Sequence, residues 1–277
     1  AAISYLVAQS STDAAMTFVA VQGGLGSAII GALPGVYLAR GVLRAMRRGI
    51  TYKSPDAWYR ASRTTSAVFS ARGTILFGEP DVMEVEVHQV GMREEDVIGL
   101  AAGAARADVG PAANAILRFA KARGIRPEAI RNPSQQPGAG VTAVTAMGQE
   151  LCVGSRSLLL EQHISIAHAE SRMAELERSG RTVLLVALGG RLVGSLALLD
   201  GIRPGARAAV QHLLDAQIEP ILMSGDARDT CDAIARALDI EHVRPEVTSA
   251  AAPDEVKRIG ETGERVAVIG HPQVDDA

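Results

Sequence analysis

From Ala14 to Ala39 the chain runs through 26 positions without a charged residue, most of them Ala, Val, Leu, Ile or Gly. Arg40, Arg44, Arg47 and Arg48 follow at once. An uncharged stretch of this length exceeds the roughly 20 residues that cross a hydrocarbon core. A basic cluster at its end marks the cytoplasmic side. Residues 1–50 are therefore read as a membrane-helix-like segment with its cytoplasmic exit, and the expected location is the cell membrane with most of the chain cytoplasmic. Gly23, Gly24, Gly26, Gly31, Pro34 and Gly35 predict a break or kink in the middle of that helix. The alternative is a glycine-rich helix pair buried in a soluble core. Gly23-Gly24-Leu25-Gly26 lacks the third glycine of a dinucleotide fingerprint.

Beyond Ser54-Pro55 the periodicity changes. Ala67-Val68-Phe69 is a short apolar strand entering a loop at Ser70–Thr74. Met83 to Val90 alternates apolar with polar residues, as a half-buried strand does. Glu94–Arg106 and Ala112–Arg123 read as helices, the second stopping at Gly124. Val141–Ala146 and Glu150–Gly154 form a hairpin around Gly148. A helix over Ala167–Ser179 precedes a second hairpin, Thr182–Leu188 with Leu192–Leu198, around Gly189-Gly190. After Asp200 the rhythm becomes helix (Arg207–Ala216), buried strand (Pro220–Met223), helix (Thr230–Leu238), helix (Glu255–Gly260), buried strand (Val266–Gly270). Continuous apolar strands alternating with helices predict a parallel sheet. The reading is α/β, with an alternating α+β block over residues 80–199 inserted between two parts of a parallel-sheet domain, 51–79 and 200–277.

The 277 residues suffice for one large domain or two ordinary ones. A net charge of -3 offers no strongly basic face, so no nucleic-acid partner is expected. Cys152 and Cys231 lie 79 positions apart, which excludes a Cys-x-x-Cys metal or redox motif. A first residue that is Ala rather than Met is what a processed chain or a piece of a longer one presents.

The motifs, taken in order, resemble the cytoplasmic region of P-type ATPases of the heavy-metal (copper/zinc) class. Gly49-Ile50-Thr51-Tyr52-Lys53 resembles the G-I-L-I-K exit from the membrane. Val68–Ile75 stands where the family has V-F-D-K-T-G-T-L. Pro137-Gly138-Ala139-Gly140-Val141 resembles its P-G-x-G-V nucleotide loop, and Val153-Gly154-Ser155 its V-G-N. Asp200 with Arg203-Pro204 resembles D-x-x-R-P, Met223–Asp226 resembles T-G-D, and Ala267–Gly270 leads toward G-D-G-I-N-D. The resemblance implies a haloacid-dehalogenase-like phosphorylation domain carrying an inserted nucleotide-binding domain, with ATP and Mg²⁺ as cofactors.

It also shows what has changed. Ser70 stands where the family's aspartate accepts the γ-phosphoryl group, and Ala71 and Arg72 replace the lysine and threonine after it. A serine hydroxyl needs an activating base that a carboxylate does not. Ala252 stands at the lysine that would face the phosphorylation site. His271 and Val274 fall at the Mg²⁺-binding aspartate and the asparagine after it, leaving Asp275 as the remaining acid there. Neutral imidazole is a poor ligand for hard Mg²⁺. Val109 and Gly110 occupy the adenine-contacting positions, and Val21-Gln22-Gly23 the Cys-Pro-Cys ion site. The candidate residues are thus Ser70 and Asp226 at the chemical step, Gly138, Gly140 and Gly154 for nucleotide approach, and Asp275 for metal. Asp226 is equally suited to capping the following helix, and Gly138 and Gly140 to a plain turn. A degenerate copy with a regulatory or structural role is expected, partnered by an active ATPase copy in the same or another chain; the alternatives are an active ATP-driven metal-ion transporter and a soluble nucleotide-binding module.

Overall fold

The structure is a computed structural model that describes residues 11–270. The expectations at His271, Val274 and Asp275 lie outside the described residues. The chain divides into two units, one through Arg63 and one from Thr64.

In the first unit, helix α1 (Ser11–Met46) is a single element of 36 residues, with Pro34 inside it. The expected break does not occur. Each glycine costs a helix about 1 kcal/mol and a proline about 3, and the long flanks on either side of Pro34 carry the helix through. No helix among the described residues is long and apolar enough to cross a membrane. Gln22, Ser27 and the glycines dilute the hydropathy that freedom from charge had suggested. Helix α2 (Pro55–Ala61), which the periodicity did not announce, starts on the Ser54 hydroxyl, the acceptor of the Ala57 N–H at 3.1 Å. Its Trp58 ring lies so close to Gly41 that a Cβ there would meet it at 3.0 Å.

The second unit holds two sheets. Strands β1 (Ser66–Ser70), β8 (Glu219–Met223), β9 (His242–Arg244) and β10 (Val266–Ile269) form a sheet in the order β10-β1-β8-β9, and every pair is parallel. Val68 and Leu222 are fully buried in it, each stabilising the fold by about 1.5–3 kcal/mol relative to exposure. Helices α7 (Ala206–Asp215), α8 (Arg228–Leu238) and α9 (Ala252–Glu261) join these strands. This is the crossover pattern that the continuous apolar runs foretold.

Between β1 and α7 lies a six-stranded sheet, all antiparallel: β2 (Asp81–Val87), β3 (Ile130–Gln136), β4 (Gly140–Thr145), β5 (Glu150–Gly154), β6 (Thr182–Leu188) and β7 (Arg191–Leu199). Its order is β2-β7-β6-β5-β4-β3, so the first strand of the insert starts beside the end of the last, with Asp81 opposite Leu199. Helices α3 (Glu94–Ala105) and α4 (Pro111–Ala122) pack on this sheet around Ile98, Ile116, Val153 and Leu196. Helices α5 (Arg156–Glu161) and α6 (Glu170–Arg178) close a second core around Leu158, Met173 and Leu185. Strand β3 escaped the periodicity. It is an edge strand carrying Pro133, with Asn132 at φ 49° and a register shift between Arg131 and Ser134. Proline is tolerated only at such an edge or bulge.

Candidate active site at the carboxyl edge of the parallel sheet

Open parallel sheets place their ligands beyond the carboxyl ends of the strands. Here β1 ends at Ser70, which pairs in register with Met223, the last residue of β8. Three residues later comes Asp226. Ser70 and Asp226 are therefore brought to one edge, as the motif order implied.

After Ser70 the chain makes a wide turn over Ala71–Ile75, closed by the Leu76 N–H donating to Ala71 O at 2.8 Å, with Gly73 at φ 76°. The turn projects Arg72 across the edge. Its Nη2 lies 2.5 Å from Asp226 Oδ1 and donates to Thr182 Oγ1 at 3.3 Å. Thr182 Oγ1 in turn donates to Asp226 Oδ1 at 2.9 Å, and Ser224 Oγ donates to Oδ2 at 2.8 Å. The Asp226 side chain is 3% exposed and that of Arg72 28%. A buried carboxylate is tolerable only when paired and hydrogen-bonded, and both its oxygens are taken. Deleting one partner of a fully buried pair costs about 3–5 kcal/mol; the partial hydration of Arg72 puts this pair at the lower end.

A second acid, Asp200, stands behind the first. Its two oxygens accept the Gly78 N–H at 3.2 and 3.0 Å. Burial pushes its carboxyl above the usual range, opposed by the Gly78 N–H and by the Arg72 charge. Arg203 donates to Leu76 O at 3.1 Å and Phe77 O at 3.3 Å, so the D-x-x-R-P residues staple the two crossings into the insert. Nearby, Cys231 Sγ donates to Asp226 O at 3.4 Å; burial raises this thiol to about 12, so it stays protonated and unreactive at neutral pH.

The Ser70 hydroxyl has no hydrogen-bond partner among the described residues, so nothing there takes its proton. Ala252 is 7% exposed and packs with Val68, Ile221 and Met223, leaving an apolar contact where the resemblance puts a lysine. The space left among Arg72, Thr182, Asp200 and Asp226 is about 10 Å³, no more than one water needs. These residues do not fit Mg²⁺. The metal wants carboxylate oxygens free to coordinate, whereas those of Asp226 are engaged by a guanidinium and two hydroxyls.

The three candidate nucleotide glycines lie on the other sheet. Gly138 sits in the β3–β4 turn at φ 75° with open space about it, as a turn glycine does. Gly140 and Gly154 face one another across β4 and β5. A Cβ on Gly140 would come 2.2 Å from Val153 O, and one on Gly154 2.2 Å from Ala139 O, with Leu158 pressing on both. Strand packing alone requires glycine at both places. Asp108 ties the neighbouring loop down, accepting from Gln135 Nε2 at 2.7 Å and from the Gly110 N–H at 3.0 Å. Val109 is 89% exposed and presents no polar group to an adenine. The residues that the sequence reading missed are Thr182, Ser224 and the reach of Arg72. A lone cation two positions after the altered aspartate position was the available signal.

Residues 68–275 match the haloacid dehalogenase-like hydrolase family. Over 230 residues the chain is 29% identical to a copper-exporting P-type ATPase of Staphylococcus haemolyticus, covering 83% of this chain and 28% of that one. A copper-exporting P-type ATPase of Vibrio cholerae is 30% identical, with 83% and 25% covered. The chain thus spans about a quarter of the length of these curated relatives. Among solved structures, a zinc-transporting PIB-type ATPase aligns with a TM-score of 0.54 at 24% identity, over 84% of this chain and 37% of that chain. The catalytic domain of a CPx-ATPase aligns with a TM-score of 0.64 at 17% identity, over 83% and 79%. At these identities the structural likeness speaks for the fold. The chain belongs to the haloacid dehalogenase-like hydrolase family, and within it resembles the cytoplasmic region of the heavy-metal P-type ATPases.

Proposed function

We propose that this chain is a pseudo-ATPase: a cytoplasmic ATPase-type region that forms no phosphoenzyme and serves a regulatory or structural role. The single observation that carries the reading is the occupant of the sheet edge. Ser70 ends the central strand without a base beside it among the described residues, and Arg72 is bonded to the one described acid of that loop, Asp226. An acyl-phosphate mechanism needs a carboxylate nucleophile and cations free to meet the transferring phosphoryl group. Here the cation is spent on an internal carboxylate. Losing one such stabilising group costs roughly 2.7–4 kcal/mol of barrier in comparable sites, and several are altered together.

In this reading the region acts beside a membrane, in keeping with relatives named for copper export, and its partner is an active ATPase copy in the same or another chain. The glycines at 138, 140 and 154 then serve the insert's packing, and neither ATP nor Mg²⁺ is needed to hold the fold. The test is incubation with γ-labelled ATP and Mg²⁺ followed by acid quench. The expected result is no acid-stable, hydroxylamine-sensitive label on the chain. Stoichiometric label of that kind would overturn the proposal and favour an active transporter.

A further inference from the structure

The contacts of Arg72 do more than fill a site, because they join two parts of the unit. Arg72 follows the central strand of the parallel sheet, Asp226 follows β8 of the same sheet, and Thr182 opens β6 of the inserted sheet. All three meet within 3.3 Å. The same corner is pinned again by Thr230 Oγ1, on α8, donating to Arg181 O at 2.9 Å. Gly180 lies close enough to Ala233 that a Cβ there would touch it at 3.7 Å. The crossings behind this corner are paired: the Phe77 N–H donates to Gly201 O at 3.0 Å and the Arg203 N–H to Ile75 O at 2.8 Å.

We infer that Arg72 is an internal latch, a tethered cation that binds Asp226 and Thr182 and holds the insert shut on the parallel-sheet part with neither metal nor nucleotide present. Three features support a latch over an incidental ion pair. The carboxylate is 3% exposed, so removing its cation leaves a buried group without its partner. Ala252 is apolar, so the position where the resemblance puts a lysine offers no competing cation. The remaining space of about 10 Å³ leaves no room for a hydrated ion between the two parts. The inference rests on this geometry alone and stands apart from whether the chain turns over ATP.

Hydrogen–deuterium exchange on the full chain tests it. In the unaltered protein, the amides of residues 76–80 and 178–184 are expected to exchange slowly and at the same rate with or without Mg²⁺ and with or without Mg²⁺ plus ATP. Arg72→Thr is expected to speed exchange in both segments about tenfold or more, while α3 and the β4–β5 pair keep their rates. Arg72→Lys, which keeps the charge but loses the fork, falls between. Unchanged rates at the two segments in Arg72→Thr, or an increase spread evenly over the whole chain, overturn the latch. So does extra protection of the unaltered protein by Mg²⁺ alone, which would mean the edge is open to a metal. Should Arg72→Thr not fold, Thr182→Val decides instead: it removes the bridging hydroxyl, leaves the ion pair, and is expected to speed exchange in the same segments severalfold, equal rates again counting against the latch.

Discussion

The inserted sheet and the edge of the parallel sheet both carry motifs of the same family, yet they differ in what those motifs do. In the insert, Gly140 and Gly154 occupy places where the main chain of the next strand leaves no room for a side chain. Such positions are dictated by packing, whatever ligand the family holds there. At the parallel edge the strands are equally well packed, with Val68 and Leu222 buried, but the motif positions Ser70, Ala71 and Arg72 stand at the strand end and in the turn after it. The Ser70 hydroxyl holds nothing in place there, whereas Ala71 is buried in the core and Arg72 is bonded to Asp226. The insert's motif positions are thus held by backbone constraint, and those of the edge by which side chains meet there.

The largest expected effect tests the packing half of this contrast. Gly154→Val sets side-chain atoms against Ala139 O, and unfolding in urea should show a loss of about 3 kcal/mol or more, at the severe end for overpacking. Near-normal stability would mean that the strands do not need glycine here and would return Gly154 to a ligand role. An intermediate effect lies at the far end of the insert. His88 bonds Ser195 Oγ at 3.0 Å, and burial together with His168 holds its imidazole below the ordinary range, against the pull of Glu86. The folded chain then binds this proton less tightly than the unfolded one. Its contribution is full above about pH 6.5 and drains away as the pH falls. His88→Gln should flatten the drop in urea midpoint between pH 7.5 and 5; an unchanged slope would assign the acid sensitivity to other groups. The smallest effect tests the chemical half. Ser70→Ala should leave stability within about 0.5 kcal/mol, because its hydroxyl holds nothing in place. A loss above 1 kcal/mol would show that the serine is part of the packing after all.

Much of this architecture was legible in the residues. The two glycine-centred hairpins, the helices expected over Glu94–Arg106 and Thr230–Leu238, and the buried strand expected at Pro220–Met223 follow from period and punctuation; the strand expected at Val266–Gly270 is there too, but as an edge strand with Val268 44% exposed rather than buried. Strand β3 was not, since Pro133 and Asn132 argue against a strand unless one knows that it lies at an edge. Strand β9 is three residues long, too short to show a period. Helix α1 ran on through Pro34 because a penalty at one residue is small beside the many bonds flanking it. The candidate site was legible only in part. Motif order placed Ser70 and Asp226 at one edge, but the bond between Arg72 and Asp226 spans 154 positions, and Thr182 reaches it from another sheet. No local pattern encodes a meeting of that kind.

The facing of Asp81 and Leu199 has one more implication. The inserted sheet enters and leaves at a single point, so to the parallel sheet it is a closed excursion no wider at its base than a hairpin. Because the folded insert itself brings those two ends together, the host spends almost no closure entropy on the many residues between them. Such a seam is where whole modules can be exchanged or enlarged while the strands beneath keep their register.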